Sequence, residues 1–365
     1  MQVLNNQNAK LSIDLTKGKE ELREKFASLQ TPQDVADLLE IPYSLLVYHL
    51  YKTSPVTRYT VFEIPKKSGG KRRISAPNPS LKIIQKKLNE VLTAIYPAHK
   101  CAHGFILDKN IVTNASVHSS KRFVLNVDLK DFFPSINFGR VRGIFTVWPC
   151  NLNSSVATVL AQICCHGNAL PQGAPTSPII SNLICRKMDS ELKRLARVHN
   201  CIYTRYADDL SFSYSGLRFP RDLARATSDG DGIKTIIGGR LKSIIEDNGF
   251  RVNEAKVRLQ KRIGRQEVTG LTVNKFPNVE RKFIRQIRAM LHAWERYGIE
   301  AAEREFLEKY DKKHRLPSKE KPLFESVVRG KIAFVGMVKQ KNHPVYLKLI
   351  AKFDQLQTES SRATQ

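Results

Sequence analysis

The sequence predicts an α+β fold that contains an antiparallel hairpin, and three patterns support this prediction. Residues 202–214 form two short runs in which apolar and polar side chains alternate around a tight turn, as expected for a β-hairpin. Residues 123–129 form another apolar strand, which ends at an acidic residue, Asp128. Residues 81–92 and 281–294 instead repeat their apolar side chains every three or four positions, which predicts amphipathic helices.

The turn of the predicted hairpin, Ala207-Asp208-Asp209, places two carboxylates side by side in a strongly basic chain. Two unit charges repel by about 1 kcal/mol at about 4 Å in water, and by more where solvent is thin. A divalent cation would convert this repulsion into attraction. Aspartate is also common in solvated turns, so the pair alone does not decide between the two interpretations.

A third carboxylate favours the metal-binding interpretation. Asp128 lies at the end of the predicted strand 123–129, so one strand supplies a single carboxylate and the hairpin supplies two. A two-metal site for phosphoryl transfer needs this arrangement, because carboxylates bridge two Mg²⁺ ions about 3.5–4 Å apart. Mg²⁺ also demands oxygen ligands and keeps water and substrate phosphates among them.

The composition indicates a protein that binds a polyanion. The 365 residues carry 60 Lys and Arg against 34 Asp and Glu, which gives a formal charge of +26. Nucleic acid is favoured over a membrane, because no basic amphipathic anchor with a wide apolar face is present. No signal-peptide pattern and no run of about 20 apolar residues is found, so we expect a cytoplasmic protein.

The six cysteines do not predict a metal site. None forms a Cys-x-x-Cys pair, and the adjacent Cys164 and Cys165 cannot both ligate one ion at the usual zinc spacing. We therefore expect buried or inert thiols at all six positions, which are Cys101, Cys150, Cys164, Cys165, Cys185 and Cys201.

Two patterns precede the predicted strand 123–129. Residues 31–51 open with Thr31 and Pro32, which predict an N-cap and a first helical position, and an Ile-Pro step then separates two helices. Residues 60–64 alternate like a strand and lead into a loop, 65–74, in which two glycines lie among five cations. This loop could contact phosphates or form a charged hairpin tip, and its spacing excludes a Walker A motif.

The C-terminal half carries weaker patterns. Residues 216–240 predict a long loop or insertion, residues 303–321 a charged linker, and residues 323–355 a mixture of helix and strand. One face of the predicted helix 281–294 carries a stripe of three arginines, namely Arg281, Arg285 and Arg288. In a chain this basic, the stripe favours contact with a nucleic-acid backbone over a merely solvated face.

Several motifs, in this order along the chain, resemble those of reverse transcriptases. They are the loop Pro65-Lys66-Lys67-Ser68-Gly69-Gly70, the strand Val127-Asp128-Leu129-Lys130-Asp131-Phe132-Phe133, the loop 170–178, the box Tyr206-Ala207-Asp208-Asp209 and residues 259–271. The resemblance covers roughly residues 55 to 275. It implies a right-hand polymerase fold with fingers, palm and thumb, in which the palm contains an antiparallel sheet.

The resemblance also implies domain limits and a metal site. Residues 1–30 would be an N-terminal extension, 31–275 the fingers and palm, and 276–365 the thumb and C-terminal region. The metal site would hold two Mg²⁺ ions. Its catalytic ligands would be Asp128 and Asp208, with Asp209 in support and the carbonyl of Leu129 as a further ligand.

The same resemblance assigns residues to the incoming nucleotide. Arg72, with Lys66 nearby, would bind the triphosphate, for which a planar guanidinium fork is suited. Gln172 would lie beside the sugar, and Lys256 would lie near the carboxylates. Phe133 would lie under the 2′ carbon and disfavour ribonucleotides, although either it or Phe132 could instead be a core residue.

Two more motifs resemble the bacterial retron group of reverse transcriptases. Residues 114–118, Asn-Ala-Ser-Val-His, match a retron box between the fingers and the Asp128 strand, and Val268-Thr269-Gly270 matches a box before the thumb. Asn114 and His118 would share one face if their segment is helical. The resemblance implies that both boxes bind a structured RNA.

A retron enzyme would copy its cognate non-coding RNA from a 2′-hydroxyl and consume dNTPs. The product would be branched, RNA-linked single-stranded DNA, called msDNA. A separate effector protein would act with it in antiphage defence, and a host RNase H would remove the template. One alternative is a group II intron-like or abortive-infection reverse transcriptase. The other alternative is an RNA-binding scaffold that keeps the polymerase fold without catalysis.

Overall fold

The structure is a computed structural model that describes residues 12–66, 69–147, 149–229, 232–314 and 322–363. The chain divides into two compact units. The first contains residues up to 108 together with 125–212 and 218–259, and the second contains residues 109–124, 213–217 and the chain from 260 onward.

The elements of the described residues follow in chain order. The helices are α1 (Lys19–Ala27), α2 (Pro32–Leu38), α3 (Tyr43–Val47), α4 (Pro55–Arg58), α5 (Pro79–Ile95), α6 (Ile111–Val117), α7 (Phe138–Thr146), α8 (Ser154–Cys164), α9 (Ser177–Val198), α10 (Gly239–Asp247), α11 (Arg281–His314), α12 (Phe324–Lys339) and α13 (Pro344–Ala363). The strands are β1 (Tyr59–Pro65), β2 (Lys71–Pro77), β3 (Phe123–Lys130), β4 (Ile202–Tyr206), β5 (Asp209–Tyr214), β6 (Ala224–Asp229), β7 (Gly232–Ile237), β8 (Arg251–Val252), β9 (Arg258–Lys261), β10 (Glu267–Val268) and β11 (Leu271–Thr272).

The principal sheet carries the strands on which the sequence pattern was clearest. Its order is β4-β5-β3-β8, and β9 also pairs with β3. Strands β3 and β8 are antiparallel, with Leu129 opposite Val252. Strands β4 and β5 are joined through Ala207 and Asp208, and Ala207 has a φ of 55°. The predicted strand, the predicted hairpin and the α+β class are therefore confirmed.

The helices of the first unit begin where the local sequence predicts. The Thr31 hydroxyl accepts a hydrogen bond from the Asp34 amide at 3.2 Å, and the Asp34 carboxylate accepts one from the Thr31 amide at 2.8 Å. This reciprocal capping box starts α2 with Pro32 at its first position. The predicted helix 81–92 lies within α5, which buries Leu81 and Ile84 among other apolar residues.

The core of the second unit is formed mainly by α11, α12 and α13. The first part of α11 buries Ile287, Leu291 and Trp294, which confirms the apolar face predicted for residues 281–294. The helix is interrupted at Gly298, whose φ of 78° and ψ of 166° lie in a region that essentially only glycine adopts.

Three weaker predictions about the C-terminal half are wrong in part. The predicted loop 216–240 contains the β6–β7 hairpin, whose two strands pair along their whole length. The predicted linker 303–321 is helical up to His314, and residues 315–321 lie outside the described chain. Residues 324–355 fall in α12 and α13, separated by a short turn, and contain no strand within the described chain. Charged helices were mistaken for a linker because their solvent-facing residues dominate the local composition.

All six cysteines are free and buried, as predicted. Burial raises the pKa of the Cys165, Cys185 and Cys201 thiols to about 12, so they stay protonated at neutral pH. Among the helices that the structure describes, none is long and apolar enough to cross a bilayer.

Candidate active site

Asp128 stands near the end of β3 and is held by the segment that follows the neighbouring strand β8. The Asn253 side-chain amide donates to one carboxylate oxygen at 3.0 Å, and the Lys256 ammonium donates to the other at 2.8 Å. The Asn253 backbone amide also donates to the Asp128 carbonyl at 2.8 Å. The hydrogen bond to Asp128 is the main cause of a raised Lys256 pKa, so this lysine stays charged beside the carboxylate.

Asp208 and Asp209 lie at the tip of the β4–β5 hairpin, directly beside the end of β3. The Leu129 amide donates to the Asp208 carbonyl at 3.0 Å, which brings the hairpin tip against Asp128. Loss of hydration raises the pKa of Asp208, and the charge of Asp128 raises it further. Asp209 is exposed at the surface, but neighbouring protein atoms reduce the hydration of its carboxylate. Burial, followed by the charges of Asp208 and Asp128, raises its pKa to about 7.

This cluster suits a hard cation. An acid whose pKa is raised on folding destabilises the fold when it ionises, and a bound cation would offset that cost. The available donors are carboxylate and carbonyl oxygens, which Mg²⁺ requires. Within the described residues, no three acidic, imidazole or thiol side chains converge closely enough to hold an ion by themselves. Mg²⁺ commonly uses one or two carboxylates and completes its shell with water and substrate phosphates, so the donor set fits.

A buried ion pair beneath the hairpin was missed by the sequence analysis. Arg205 and Asp189 are both 0% exposed, and the guanidinium binds both carboxylate oxygens, at 2.9 and 2.7 Å. The Tyr203 hydroxyl donates to the same carboxylate at 2.8 Å. The second terminal nitrogen of Arg205 donates to the Ala207 carbonyl at 3.2 Å. Arg205 therefore ties the turn that carries Asp208 to the core helix α9.

One sequence signal could have pointed to this pair. Asp189 lies among Cys185, Met188 and Leu192 on the buried face of α9. A charged residue on an apolar helix face is almost never buried without a partner. Periodicity alone would not have identified Arg205 as that partner.

The loop after α8 places Gln172 against the β1–β2 hairpin. The Ser75 amide donates to the Gln172 carbonyl at 2.8 Å. Gly173 has a φ of 123°, and a Cβ there would lie 3.0 Å from the Ser75 carbonyl oxygen, so glycine permits this close contact. Gln172 itself is half-buried.

The β1–β2 hairpin presents its cations to the solvent. Arg72 and Lys66 are exposed, and the positive charge of Arg72 counteracts the rise in the Asp208 pKa. Arg72 is therefore within electrostatic range of the carboxylate cluster. Lys67 and Ser68 of the predicted phosphate loop lie outside the described residues.

The two phenylalanines after β3 differ in burial. Phe132 is 3% exposed and stacks on Phe250 with ring centres 5.5 Å apart, so it is the core residue of the pair. Phe133 is half-buried, and its ring centre lies 6.3 Å from that of Phe105. Phe133 is therefore partly accessible from the surface.

Residues 64–274 match the family described as reverse transcriptase (RNA-dependent DNA polymerase). The chain belongs to the reverse transcriptase family. The match spans Asp128, Asp208 and Asp209 together with Arg72 and Gln172. The family's right-hand polymerase fold therefore applies to this chain.

Relatives of this reverse transcriptase include retron enzymes. The chain is 34% identical over 293 residues to the retron Mx162 reverse transcriptase of Myxococcus xanthus, which covers 73% of this chain and 59% of the relative. It is 35% identical over 285 residues to the retron Mx65 enzyme of the same organism, covering 72% and 62%. It is 33% identical over 240 residues to the retron Ec86 enzyme of Escherichia coli, covering 64% and 69%. The chain thus spans less than two thirds of the length of the two Myxococcus relatives.

A solved structure of telomerase from Candida albicans, in complex with a fragment of telomeric RNA, also aligns with this reverse transcriptase. The alignment covers 83% of this chain and 63% of the telomerase chain, with a TM-score of 0.40 and 11% sequence identity. A likeness this distant supports no further conclusion.

The retron-like boxes of this reverse transcriptase lie against each other in the second unit. Asn114 on α6 and His118 at its end are both 0% exposed. His118 Nδ1 lies 2.7 Å from the Ser213 hydroxyl, and the side-chain amide of Asn114 has no hydrogen-bond partner among the described residues. The Thr269 hydroxyl donates to the Ile111 carbonyl at 3.2 Å, which joins the β10–β11 turn to α6.

Burial corrects one part of the prediction for these boxes. The Asn114 and His118 side chains cannot touch RNA in this structure, because neither reaches the surface, and Val268 is also buried. Thr269 is half-buried and Gly270 is exposed, with a φ of 81° in the tight turn between β10 and β11. The accessible part of the two boxes is therefore this turn.

The arginine stripe on α11 lies at the surface of the second unit. Arg281, Arg285 and Arg288 are all exposed, whereas Ile287 and Leu291 on the adjacent face are buried. The three guanidinium groups are therefore accessible to a ligand. Their contact with nucleic acid stays a prediction.

Proposed function

We propose that this chain is an RNA-directed DNA polymerase that copies a cognate structured RNA, as in retrons. The observation that carries the proposal is the meeting of β3 with the β4–β5 hairpin, which brings Asp128 beside Asp208 and Asp209. Arg72 on one hairpin and Gln172 on the adjoining loop lie on the same unit of the protein. Within the reverse transcriptase family, this set of residues is suited to nucleotidyl transfer.

Some of the proposed site residues bind metal, and others bind the substrate. Asp128 and Asp208 would hold the metal ions, with the Leu129 carbonyl as a further ligand, and Asp209 would add negative charge. Lys256 and Asn253 orient the Asp128 carboxylate through the hydrogen bonds already described. When bound, two Mg²⁺ ions supply Lewis-acid stabilisation of the attacking and leaving oxygens.

Arg72, with Lys66 nearby, binds the triphosphate and offsets the charge that develops on it during transfer. Gln172 and Phe133 contact the sugar. A 3′- or 2′-hydroxyl of the primer attacks the α-phosphate of a dNTP, a new phosphodiester bond forms, and pyrophosphate leaves.

A primer-extension assay tests the activity itself. The purified chain should add dNTPs to a DNA primer annealed to an RNA template in the presence of Mg²⁺. A folded preparation that binds RNA but incorporates no nucleotide would overturn the polymerase proposal and favour the scaffold alternative.

The sugar selectivity of the enzyme is proposed to depend on Phe133. Replacing Phe133 by Ala should remove the ring that clashes with a ribose 2′-hydroxyl, and should therefore raise the efficiency of ribonucleotide use relative to dNTPs. Steady-state kcat/KM values for a matched dNTP and rNTP pair measure the change. A variant that only loses thermal stability, with the same preference, would make Phe133 a packing residue.

The arginine stripe is proposed to bind the backbone of the template–primer duplex. Replacing Arg281, Arg285 and Arg288 together by Gln should weaken binding to any sequence. It should also flatten the slope of log K against log salt by up to about 0.9 for each phosphate that the protein no longer neutralises. Fluorescence anisotropy over a salt series measures the slope. An unchanged slope would mean that the three arginines do not contact nucleic-acid phosphates.

The proposed retron product is branched, RNA-linked msDNA primed from a 2′-hydroxyl of the RNA. Changing Asn114, His118 and Thr269 together to Ala should abolish self-primed synthesis on the cognate RNA, because the turn that they support would no longer place the RNA. Extension of an ordinary primer should continue. Both reactions are run with one preparation whose melting temperature is measured.

The two alternatives predict different outcomes for the same variant. Full activity in both reactions would favour a group II intron-like or abortive-infection enzyme, which has no need of these boxes. Equal loss in both reactions would assign the residues to the stability of the second unit. The proposed partners are dNTPs, the cognate RNA and its msDNA, a separate effector protein for antiphage defence, and a host RNase H.

A further inference from the structure

The turn that carries Phe133 follows β3 directly and is shaped by short-range hydrogen bonds. The Ser135 amide donates to the Asp131 carbonyl at 2.8 Å, and the Ile136 amide donates to the Phe133 carbonyl at 3.1 Å. These bonds shape the turn but do not attach it to the rest of the protein. The Leu170 amide holds the end of the turn by donating to the Ile136 carbonyl at 2.9 Å. The position of the Phe133 ring depends in addition on the contacts that hold Ser135 and Phe132.

Arg140, on the helix α7 that follows the turn, supplies a side-chain attachment at Ser135. One terminal nitrogen donates to the Ser135 carbonyl at 3.2 Å and to the Gly249 carbonyl at 3.0 Å. The other terminal nitrogen donates to the Asn248 carbonyl at 2.7 Å. A single guanidinium thus joins the Phe133 turn to the corner between α10 and β8. The rigid fork of arginine can satisfy three carbonyls in one plane, which a lysine cannot do.

Aromatic packing reinforces the same connection. The Arg140 guanidinium carbon lies 4.4 Å from the centre of the Phe250 ring, and Phe132 stacks on Phe250 with ring centres 5.5 Å apart. Phe132 in turn contacts Phe133 with ring centres 5.2 Å apart. The guanidinium, Phe250, Phe132 and Phe133 therefore form one continuous row of contacts.

The corner at residues 248–250 packs closely against the Arg140 guanidinium. Gly249 has a φ of 72°, and a Cβ at this position would lie 3.2 Å from the nearer Arg140 nitrogen. A side chain would both strain the backbone and push against the guanidinium. The close approach shows that the corner and Arg140 are fitted to each other.

We propose that Arg140 is a positioning residue for nucleotide selection, which holds Phe133 at the distance from the sugar that separates deoxyribonucleotides from ribonucleotides. The proposal rests on the proposed role of Phe133 as the residue that contacts the sugar. Arg140 does not touch the nucleotide. It acts by fixing the turn at Ser135 and the ring row at Phe250, so that the Phe133 ring cannot retreat when a 2′-hydroxyl is present.

The test measures discrimination, the ratio of kcat/KM for a dNTP to that for the matching rNTP. Arg140→Met keeps much of the side-chain volume and removes all three hydrogen bonds. Discrimination should fall about tenfold, because a displacement of about 1 Å in a positioning residue has effects of this size or larger. Arg140→Lys, which retains the charge without the fork, should give an intermediate ratio.

A matched control lies two residues further along the same helix. Arg142 donates to the Thr158 hydroxyl at 3.1 Å and so attaches α7 to α8, away from the Phe133 turn. Arg142→Met should lower thermal stability without changing discrimination. If Arg140→Met yields too little folded protein, Phe250→Leu interrupts the ring row while keeping an apolar side chain, and should also lower discrimination.

A double-mutant cycle separates this inference from the role of Phe133. In a Phe133→Ala background, Arg140→Met should cause no further loss of discrimination, because the ring through which it acts is gone. If Phe133→Ala changes discrimination but Arg140→Met and Phe250→Leu do not, the inference about Arg140 is overturned and the role of Phe133 stands. If Phe133→Ala leaves discrimination unchanged, the role of Phe133 fails, and the inference fails with it.

Discussion

Replacing Asp208 by Asn should reduce dNTP incorporation by about three orders of magnitude or more, equivalent to about 4 kcal/mol of transition-state stabilisation. The amide keeps the shape of the carboxylate but removes the negative charge that holds a metal ion. RNA binding should change little, because the substitution is confined to the hairpin tip. Single-nucleotide incorporation under single-turnover conditions measures the loss, and anisotropy measures RNA binding.

Metal binding gives this variant a second readout. Addition of Mg²⁺ should raise the melting temperature of the wild-type protein at pH 8, where the Asp209 carboxyl, with a pKa raised to about 7, is ionised. At pH 6 the protonated carboxyl should reduce the shift, and in the Asp208→Asn variant the shift should be lost. Asp222→Asn, at a solvent-exposed carboxylate paired with His199, is the control and should behave as wild type. Near-normal synthesis by Asp208→Asn would contradict the two-metal assignment.

Replacing Arg205 by Met should destabilise the protein by about 3–5 kcal/mol, because it leaves the buried Asp189 carboxylate without its cation. The pair is fully buried, so neither solvent nor salt can compensate for the loss. The Ala207 carbonyl also loses its donor, and the turn that carries Asp208 is released from α9. Chemical denaturation measures the destabilisation, and primer extension measures the effect on the site.

A double substitution distinguishes stability from positioning. Asp189→Leu combined with Arg205→Met replaces both charges by apolar side chains, and should recover much of the lost stability. Incorporation should stay low, because no side chain then donates to the Ala207 carbonyl. Recovery of full activity would mean that Arg205 only stabilises the principal sheet. Stability close to wild type in Arg205→Met alone would contradict the buried ion pair.

The local sequence was sufficient for many features because their causes are local. Thr31 caps α2 through bonds to a residue three positions away, and the alternating pattern of residues 202–214 predicts the hairpin. The burial of Ile287, Leu291 and Trp294 follows from their spacing on one helix. The C-terminal predictions failed where solvent-facing charge hid a helical pattern, as in residues 303–314.

The support of the candidate site could not be predicted in the same way. Asn253 and Lys256 hold Asp128 from 125 and 128 residues away along the chain, and Asn248 receives the Arg140 guanidinium from 108 residues away. Hydrogen bonds across such separations leave no periodicity in the sequence. The burial of Asn114 and His118 was hidden for the same reason, since it depends on the packing of α6 against distant strands.

The sequence alone identified the family, the order of its motifs, and Asp128, Asp208 and Asp209 as candidate metal ligands. Each of these depends on residue type and short-range spacing. The tertiary structure decided which side chains orient those carboxylates, which phenylalanine after β3 is buried, and that the Asn114 and His118 side chains lie beneath the surface. The physical reason is that residue type sets which interactions a side chain can make. Only the packing of strands and helices from distant parts of the chain decides which partner it meets and whether water still reaches it.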